Sequence, residues 1–198
     1  MHDHALFLNG TVGVGKTATA DAISRILIQR GIPHAIVDLD ALRAAWPAPE
    51  GDPFNNALEL ANLRAVAANH RASVARILVL AGVIEDPDAV PLYRDAVGGL
   101  PFTVVRLTVD PAVGDARLRA RHGDDHDALA WHLHRHGELD AVLDAARIPG
   151  PVVDTTGRTP SEVAEAVLAA SATKRQSSAG KAANRSSLRH VECIYFIS

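Results

Sequence analysis

The chain has 198 residues, of which 47% are hydrophobic and 22% charged, and its formal net charge is −3. These values are typical of one globular domain with a sizeable core, and they argue against a basic nucleic-acid-binding domain. No apolar run approaches the roughly 18 residues that a membrane-spanning helix needs. The single cysteine, Cys193, excludes an internal disulfide. We therefore expect a cytoplasmic protein without a nucleic-acid or membrane partner.

Charge divides the chain into two unequal parts. Residues 1–170 carry more acidic than basic side chains, whereas residues 171–198 carry five basic side chains and one acidic. The second part is also rich in Ser and Ala, a composition typical of disordered tails. We expect one folded domain over residues 1–170 and a disordered basic tail over residues 171–198.

A glycine-rich stretch follows the first predicted strand, residues 5–10, and precedes a predicted helix, residues 16–30. The letters GTVGVGKT fit the spacing of the phosphate-binding loop, or Walker A motif. In such a loop the backbone N–H groups converge on a phosphate, and the helix dipole adds positive charge. Lys16 would bridge the β- and γ-phosphates, and the Thr17 hydroxyl would ligate Mg²⁺. The residues expected to bind the nucleotide here are Gly10, Thr11, Val12, Gly13, Val14, Gly15, Lys16 and Thr17.

The lysine of this motif stands out in the composition. Residues 1–170 contain 14 arginines but only one lysine, Lys16. A compact ammonium on a flexible stem suits the space between loop, phosphates and metal better than a planar guanidinium does. Residue usage thus supports the phosphate-binding interpretation independently of the glycine spacing.

The second predicted strand, residues 34–40, ends in two acidic residues. Asp38 and Asp40 flank one residue, so on an extended strand end they point the same way. Either could ligate Mg²⁺ through water or accept the proton of an attacking hydroxyl. Arg43 would then bind an anionic or hydroxylated acceptor together with Asp40. The alternative is that Asp40 only caps the helix that follows.

The rest of the chain alternates between helices and strands. The predicted elements are a loop at 46–54, a helix at 54–75, a strand at 76–86, a short helix at 88–97, a strand at 101–110, a helix at 111–121, a polar break at 122–127, a helix at 128–146, a strand at 150–157 and a closing helix at 159–170. Thr159 and Glu162 have the spacing of a capping box at the start of that last helix.

Two groups of polar residues in the second half could serve a ligand. Arg117 and Arg121 lie four residues apart on one helix face and could bring guanidinium groups onto nucleotide phosphates. The alternative is a solvated basic face paired with nearby aspartates. His132 and His136 also lie one helical turn apart, but no nearby cysteine or glutamate completes a metal-ligand set.

The five predicted strands are rich in Val, Leu and Ile and alternate with helices. Strands that are apolar on both faces belong to a parallel sheet covered by helices on two sides. Ligands of such α/β folds bind at the carboxyl ends of the strands, where the glycine-rich loop and the acidic pair fall.

These motifs together resemble the P-loop small-molecule kinases, close to the adenylylsulfate-kinase, gluconate-kinase and shikimate-kinase relatives. The resemblance covers about residues 5–170 and rests on three stretches: FLNGTVGVGKTATADAISRIL, VDLDALR and DARLRAR. It implies a P-loop NTPase three-layer α/β/α sandwich with a five-stranded parallel sheet of order 2-3-1-4-5. It further implies ATP as donor, Mg²⁺, a small hydroxylated acceptor, and an adenine pocket lined by the stretch that contains Thr155.

Two other kinds of protein could carry the same loop. A GTPase or other nucleotide-driven switch would need a guanine-reading Asn-Lys-x-Asp sequence, and residues 1–170 hold no second lysine. A non-catalytic module would bind ATP without acceptor-dependent turnover. The sequence identifies neither the acceptor nor the oligomeric state.

Overall fold

Five short apolar strands form one parallel sheet. The computed structural model of the protein describes residues 3–123 and 125–173, and it places the strands in the order β2-β3-β1-β4-β5. All four neighbouring pairs are parallel. The strands are β1 (His4–Asn9), β2 (His34–Asp38), β3 (Ile77–Gly82), β4 (Phe102–Thr108) and β5 (Val152–Asp154). The predicted strand order is therefore confirmed.

Helices connect the strands and cover both faces of the sheet. They are α1 (Lys16–Gln29), α2 (Leu39–Leu42), α3 (Asn56–Ser73), α4 (Val90–Ala96), α5 (Pro111–His122), α6 (His126–Ala146) and α7, which occupies 160–173, with a short 3₁₀ turn at Pro87–Ala89 before α4. None of the helices in the described ranges has the length and apolarity needed to cross a membrane.

The side chains of β1 show how the two faces form. Leu6 and Leu8 belong to the core that α1 and α7 cover, whereas Ala5 and Phe7 belong to the core that α3 and α4 cover. All four side chains are fully buried, as period-2 alternation in a central strand requires. This arrangement is the expected three-layer α/β/α sandwich.

The second strand is shorter than predicted because a helix begins inside the predicted strand. β2 ends at Asp38, and the one-turn α2 starts at Leu39, which is fully buried. Leu39 packs against Gly82 at the end of β3, where a Cβ would lie 2.6 Å from the Leu39 Cδ1 atom. The absence of a side chain at Gly82 thus allows α2 to pack onto the sheet and places Asp40 on a helix.

The closing helix continues beyond the predicted domain end at residue 170. Residues 171–173 remain helical, and Ser171 is buried. Its hydroxyl donates a hydrogen bond to the Leu168 carbonyl at 3.0 Å. The rest of the expected disordered tail, residues 174–198, lies outside the described residues.

Candidate active site

The predicted phosphate-binding loop joins β1 to α1 at the carboxyl edge of the sheet. Gly13 and Gly15 have φ values of 79° and 100°, which side-chain-bearing residues rarely adopt. Gly10 lies so close to its neighbours that a Cβ there would be 2.9 Å from the Leu107 carbonyl oxygen. Gly15 also forms the start of α1 with no side-chain cap, so the first N–H groups of the helix face the loop.

Lys16 is the first residue of α1, and its side chain extends back across the loop. Its Nζ donates hydrogen bonds to the carbonyl oxygens of Gly10 at 2.8 Å and Thr11 at 3.1 Å. Burial lowers the pKa of Lys16 to about 8, although the carboxylates of Asp40 and Asp38 act to raise it. Both acidic residues of the predicted pair are therefore within electrostatic range of the Lys16 ammonium.

Arg117 and Thr155 meet behind the loop. Arg117 Nη1 donates to the Val14 carbonyl at 3.2 Å and to the Thr155 hydroxyl at 3.0 Å, and Nη2 donates to the Thr155 carbonyl at 3.0 Å. The buried Thr155 hydroxyl also donates to the Val14 carbonyl at 3.2 Å. Arg117 therefore binds the loop and not a neighbouring aspartate. Arg121 is exposed on the same helix, and its charge acts to lower the pKa of Lys16.

His136 reaches the loop from α6, a contact that the sequence analysis missed. Its Nδ1 lies 2.7 Å from the Val12 carbonyl oxygen, which can only accept, so Nδ1 carries the proton and donates. In return the Thr11 hydroxyl donates to the His136 carbonyl at 2.9 Å. The His136 side chain is buried against Gly114 of α5, where a Cβ would be 2.5 Å from the ring Cε1. The spacing of His132 and His136 gave no indication of this contact.

The acidic pair has a different local structure from the one expected. Asp38, and not Asp40, caps α2: its Oδ1 accepts the backbone N–H of Asp40 at 3.0 Å. The alternative in which Asp40 is only a helix cap is therefore wrong. Asp40 lies in the first turn of α2 and is exposed, and its carboxylate accepts no hydrogen bond from the described residues. It is the member of the pair that is available to a ligand.

Arg43 follows α2 and is held by a buried ion pair. It pairs with Glu59 of α3, whose other oxygen accepts the Tyr93 hydroxyl at 2.6 Å. Glu59 is fully buried, and burial raises the pKa of its carboxyl group, an effect that the Tyr93 hydroxyl and Arg43 offset in part. About a fifth of the Arg43 side chain stays exposed (21%). The sequence contains one indication that Glu59 is buried: it lies four residues before Leu63, on the apolar face of α3.

The segment after β3 is fixed beside the loop. Ile84 donates its N–H to the Asn9 side-chain carbonyl and accepts from the Asn9 amide, each at 3.0 Å. The next residue, Glu85, accepts a 2.5 Å hydrogen bond from Arg135 of α6. The Arg135 guanidinium lies 5.4 Å from the centre of the Phe54 ring. Through Arg135, α6 reaches across the carboxyl edge of the sheet to the side where Asp40 and Arg43 lie.

The donors near Lys16 fit Mg²⁺. The Thr17 hydroxyl on α1 and the carboxylates of Asp38 and Asp40 are oxygen ligands, and Mg²⁺ takes one or two of these together with phosphate oxygens and water. Among residues 3–123 and 125–173, no three His, Cys, Asp or Glu side chains cluster closely enough to hold a metal by themselves. These oxygens would supply part of the coordination of Mg²⁺, with phosphate oxygens and water completing it.

Comparison with solved structures places this site in a known fold. A gluconokinase from Sinorhizobium meliloti 1021 superimposes with a TM-score of 0.57 at 19% identity, over 90% of this chain and 97% of that chain. The Deinococcus radiodurans tunicamycin resistance protein superimposes with a TM-score of 0.60 at 22% identity, over 85% of this chain and 95% of that chain. Neither a family model nor a curated protein sequence matches the chain.

Identities of this size establish the fold and leave the substrate open. The glycine-rich loop, the strand order and the structural neighbours agree with one another. The chain is an α/β protein with the fold of the P-loop small-molecule kinases, as the resemblance of its motifs predicted.

Proposed function

We propose that the protein is an ATP- and Mg²⁺-dependent kinase that transfers the γ-phosphoryl group of ATP to a small hydroxylated molecule. The observation that carries the proposal is that the exposed Asp40 carboxylate lies within electrostatic range of Lys16. Lys16 belongs to a phosphate-binding loop, while Asp40 is exposed on the neighbouring α2 and near enough to influence the Lys16 pKa. An exposed carboxylate within electrostatic range of that lysine could accept the proton of an attacking hydroxyl, which phosphoryl transfer to an acceptor requires.

The donor half of the reaction depends on the loop. Its backbone N–H groups and Lys16 would bind the phosphates, and the exposed Arg121 would add positive charge on the nucleotide side. Arg117 and Thr155 would support the loop from behind. Bound Mg²⁺, held by Thr17 and through water by Asp38, would neutralise charge on the phosphates. Catalysis of this kind comes mainly from positioning and electrostatic stabilisation.

The acceptor half depends on the residues around α2. The acceptor oxygen would attack the γ-phosphorus, the bond to the ADP oxygen would break, and the hydroxyl proton would pass to the Asp40 carboxylate. Asp38 holds the backbone of Asp40 in place through the cap. Arg43, oriented by Glu59, would contact the acceptor through the exposed part of its guanidinium. We propose that the protein acts in the cytoplasm, where ATP is abundant.

An acceptor screen tests the proposal. ATP-to-ADP turnover would be measured with Mg²⁺ against sugars, sugar acids, nucleosides, adenylylsulfate, and aminoglycoside and nucleoside antibiotics. The panel includes sugar acids and nucleoside antibiotics because the two similar structures are a gluconokinase and a tunicamycin resistance protein. We expect at least one compound to stimulate turnover in the wild type and not in Asp40→Asn. Tight ATP binding with no acceptor-stimulated turnover across the panel would instead favour a non-catalytic nucleotide-binding module.

A further inference from the structure

Side-chain donors from four separate segments bond to the carbonyl oxygens of the phosphate-binding loop. Lys16 donates hydrogen bonds to the carbonyl oxygens of Gly10 and Thr11. Arg117 and Thr155 donate to the carbonyl oxygen of Val14. His136 Nδ1 donates to the carbonyl oxygen of Val12 at 2.7 Å. Most carbonyl oxygens of the loop therefore have a fixed direction.

A fixed carbonyl also fixes the next N–H. In a planar trans peptide the C=O of one residue and the N–H of the following residue point in opposite directions. The only cis peptide in the described residues joins Trp46 to Pro47, so the Val12–Gly13 peptide is trans. The N–H of Gly13 must therefore point away from His136, toward the open side of the loop. Gly13 would otherwise rotate easily, since glycine has the widest choice of backbone conformations.

We propose that His136 is a positioning residue for nucleotide binding: it orients the Val12–Gly13 peptide so that the loop N–H groups face the phosphates. The inference rests on the proposed nucleotide-binding role of the loop and adds a residue outside the motif to it. Three observations support a specific fit and not chance packing. The ring is buried, it lies against a glycine that leaves room for it, and the backbone of the same residue accepts a hydrogen bond from Thr11.

His136 also links the two halves of the site. The preceding residue, Arg135, binds Glu85 and lies over Phe54 on the acceptor side. One turn of α6 therefore contacts both the back of the phosphate-binding loop and the segment after β3. Movement of α6 away from the sheet would release the Val12 carbonyl and the Glu85 carboxylate together.

The test compares ADP binding by calorimetry in His136→Leu, His136→Asn and the wild type. Leucine fills the site without a donor, whereas the Asn amide group can take the place of Nδ1–H. We expect His136→Leu to bind ADP about five- to tenfold more weakly, the usual effect of losing one hydrogen bond. His136→Asn should stay within about twofold of the wild type. As a matched control, His132→Leu makes the same change on the same helix, where the ring bonds the Ala128 carbonyl and contacts the rings of His122 and Trp131. It should bind ADP normally.

Melting temperatures of the variants distinguish a positioning role of His136 from a packing role. All ADP titrations are done well below these temperatures. A lower melting temperature with unchanged ADP affinity in His136→Leu would overturn the inference, and so would an Asn variant as weak as the Leu variant. If His136→Leu does not fold, Thr11→Val removes the reciprocal hydrogen bond and leaves the ring in place. Its ADP affinity should fall in the same direction, and unchanged affinity would overturn the inference. A wild-type protein that binds neither ADP nor ATP would overturn the proposed function itself.

Discussion

Asp38 accepts the backbone N–H of Asp40 at 3.0 Å, so the first acidic residue holds the second in position. One oxygen of Asp38 is thereby occupied, while the Asp40 carboxylate is exposed and within electrostatic range of Lys16. The two aspartates have different structural roles although they are only two residues apart.

Asp40→Asn should separate catalysis from binding. We expect acceptor-dependent turnover to fall roughly 100-fold or more, the usual scale for a positioned acid–base group. ATP affinity and melting temperature should stay near those of the wild type, because Asp40 makes no hydrogen bond through its side chain within the described residues. Turnover, calorimetry and thermal unfolding of the same preparation measure all three. Full turnover in this variant would move the chemistry to Asp38 or Glu85.

The contribution of Asp38 to stability should depend on whether its replacement can cap α2. Asp38→Ala removes the cap of α2 and should cost about 1 kcal/mol of unfolding free energy. Asp38→Asn should keep most of it, since Asn caps about as well as Asp. Urea denaturation of both variants measures the difference. Equal losses in the two variants would mean that the charge of Asp38, and not its cap, stabilises the site.

Nucleotide affinity should depend on pH through Lys16. With a pKa of about 8, the ammonium is half deprotonated near pH 8, whereas an ordinary lysine reaches that point only above pH 10. Bound phosphates favour the charged form, so binding above this pKa takes up a proton, and affinity should fall by up to roughly tenfold per pH unit. ADP titrations between about pH 7.5 and 9.5 measure this, because the terminal phosphate is already ionised there. Lys16→Ala should bind weakly and show no such slope; a slope that persists in Lys16→Ala would assign it to another group.

The buried carboxylate of Glu59 should be costly to neutralise. Glu59→Gln leaves the Arg43 guanidinium without its partner, and we expect a loss of about 2–3 kcal/mol, below the 3–5 of a fully buried pair because Arg43 is partly exposed. Tyr93→Phe removes only the hydrogen bond at 2.6 Å and should cost about 1.5–2 kcal/mol. Chemical denaturation measures both. A Glu59→Gln variant as stable as the wild type would show that the ion pair contributes nothing net.

Two glycines on the helices above the loop should respond oppositely to alanine. Replacing a helical glycine by alanine usually stabilises by about 1 kcal/mol. At Gly137 no heavy atom of the described residues lies within 4 Å of the added Cβ, so Gly137→Ala should gain most of that. At Gly114 the Cβ would be 2.5 Å and 2.6 Å from two His136 ring atoms, so Gly114→Ala should lose about 1–3 kcal/mol and weaken ADP binding. Thermal unfolding of the two variants compares them; a stabilised Gly114→Ala would show that the ring moves without cost.

Features encoded by neighbouring residues could be predicted from the sequence. The phosphate-binding loop is one, because its glycines, Lys16 and Thr17 follow one another along the chain. The capping box is another: Glu162 N–H bonds the Thr159 hydroxyl at 3.3 Å, and the Glu162 carboxylate accepts the Thr159 N–H at 2.8 Å. The strand order came from the family resemblance. The roles given to Asp40, Arg43 and Thr17 stay predictions.

Contacts between distant parts of the chain could not be predicted. His136 and Val12 are separated by 124 residues, and no period or spacing relates them. The end of β2 was misplaced for a similar reason. The hydrophobic run continues through Leu39, and only the missing side chain of Gly82 on another strand lets the helix begin there.

The half-buried amine of Lys16 also makes the loop a target for chemical labelling. With a pKa of about 8, Lys16 carries a much larger share of free amine at neutral pH than an ordinary lysine, whose pKa lies above 10. Residues 1–170 contain no other lysine to compete. A mild acylating reagent should therefore mark this one side chain within the domain, and ligands that occupy the loop can be found by the protection they give.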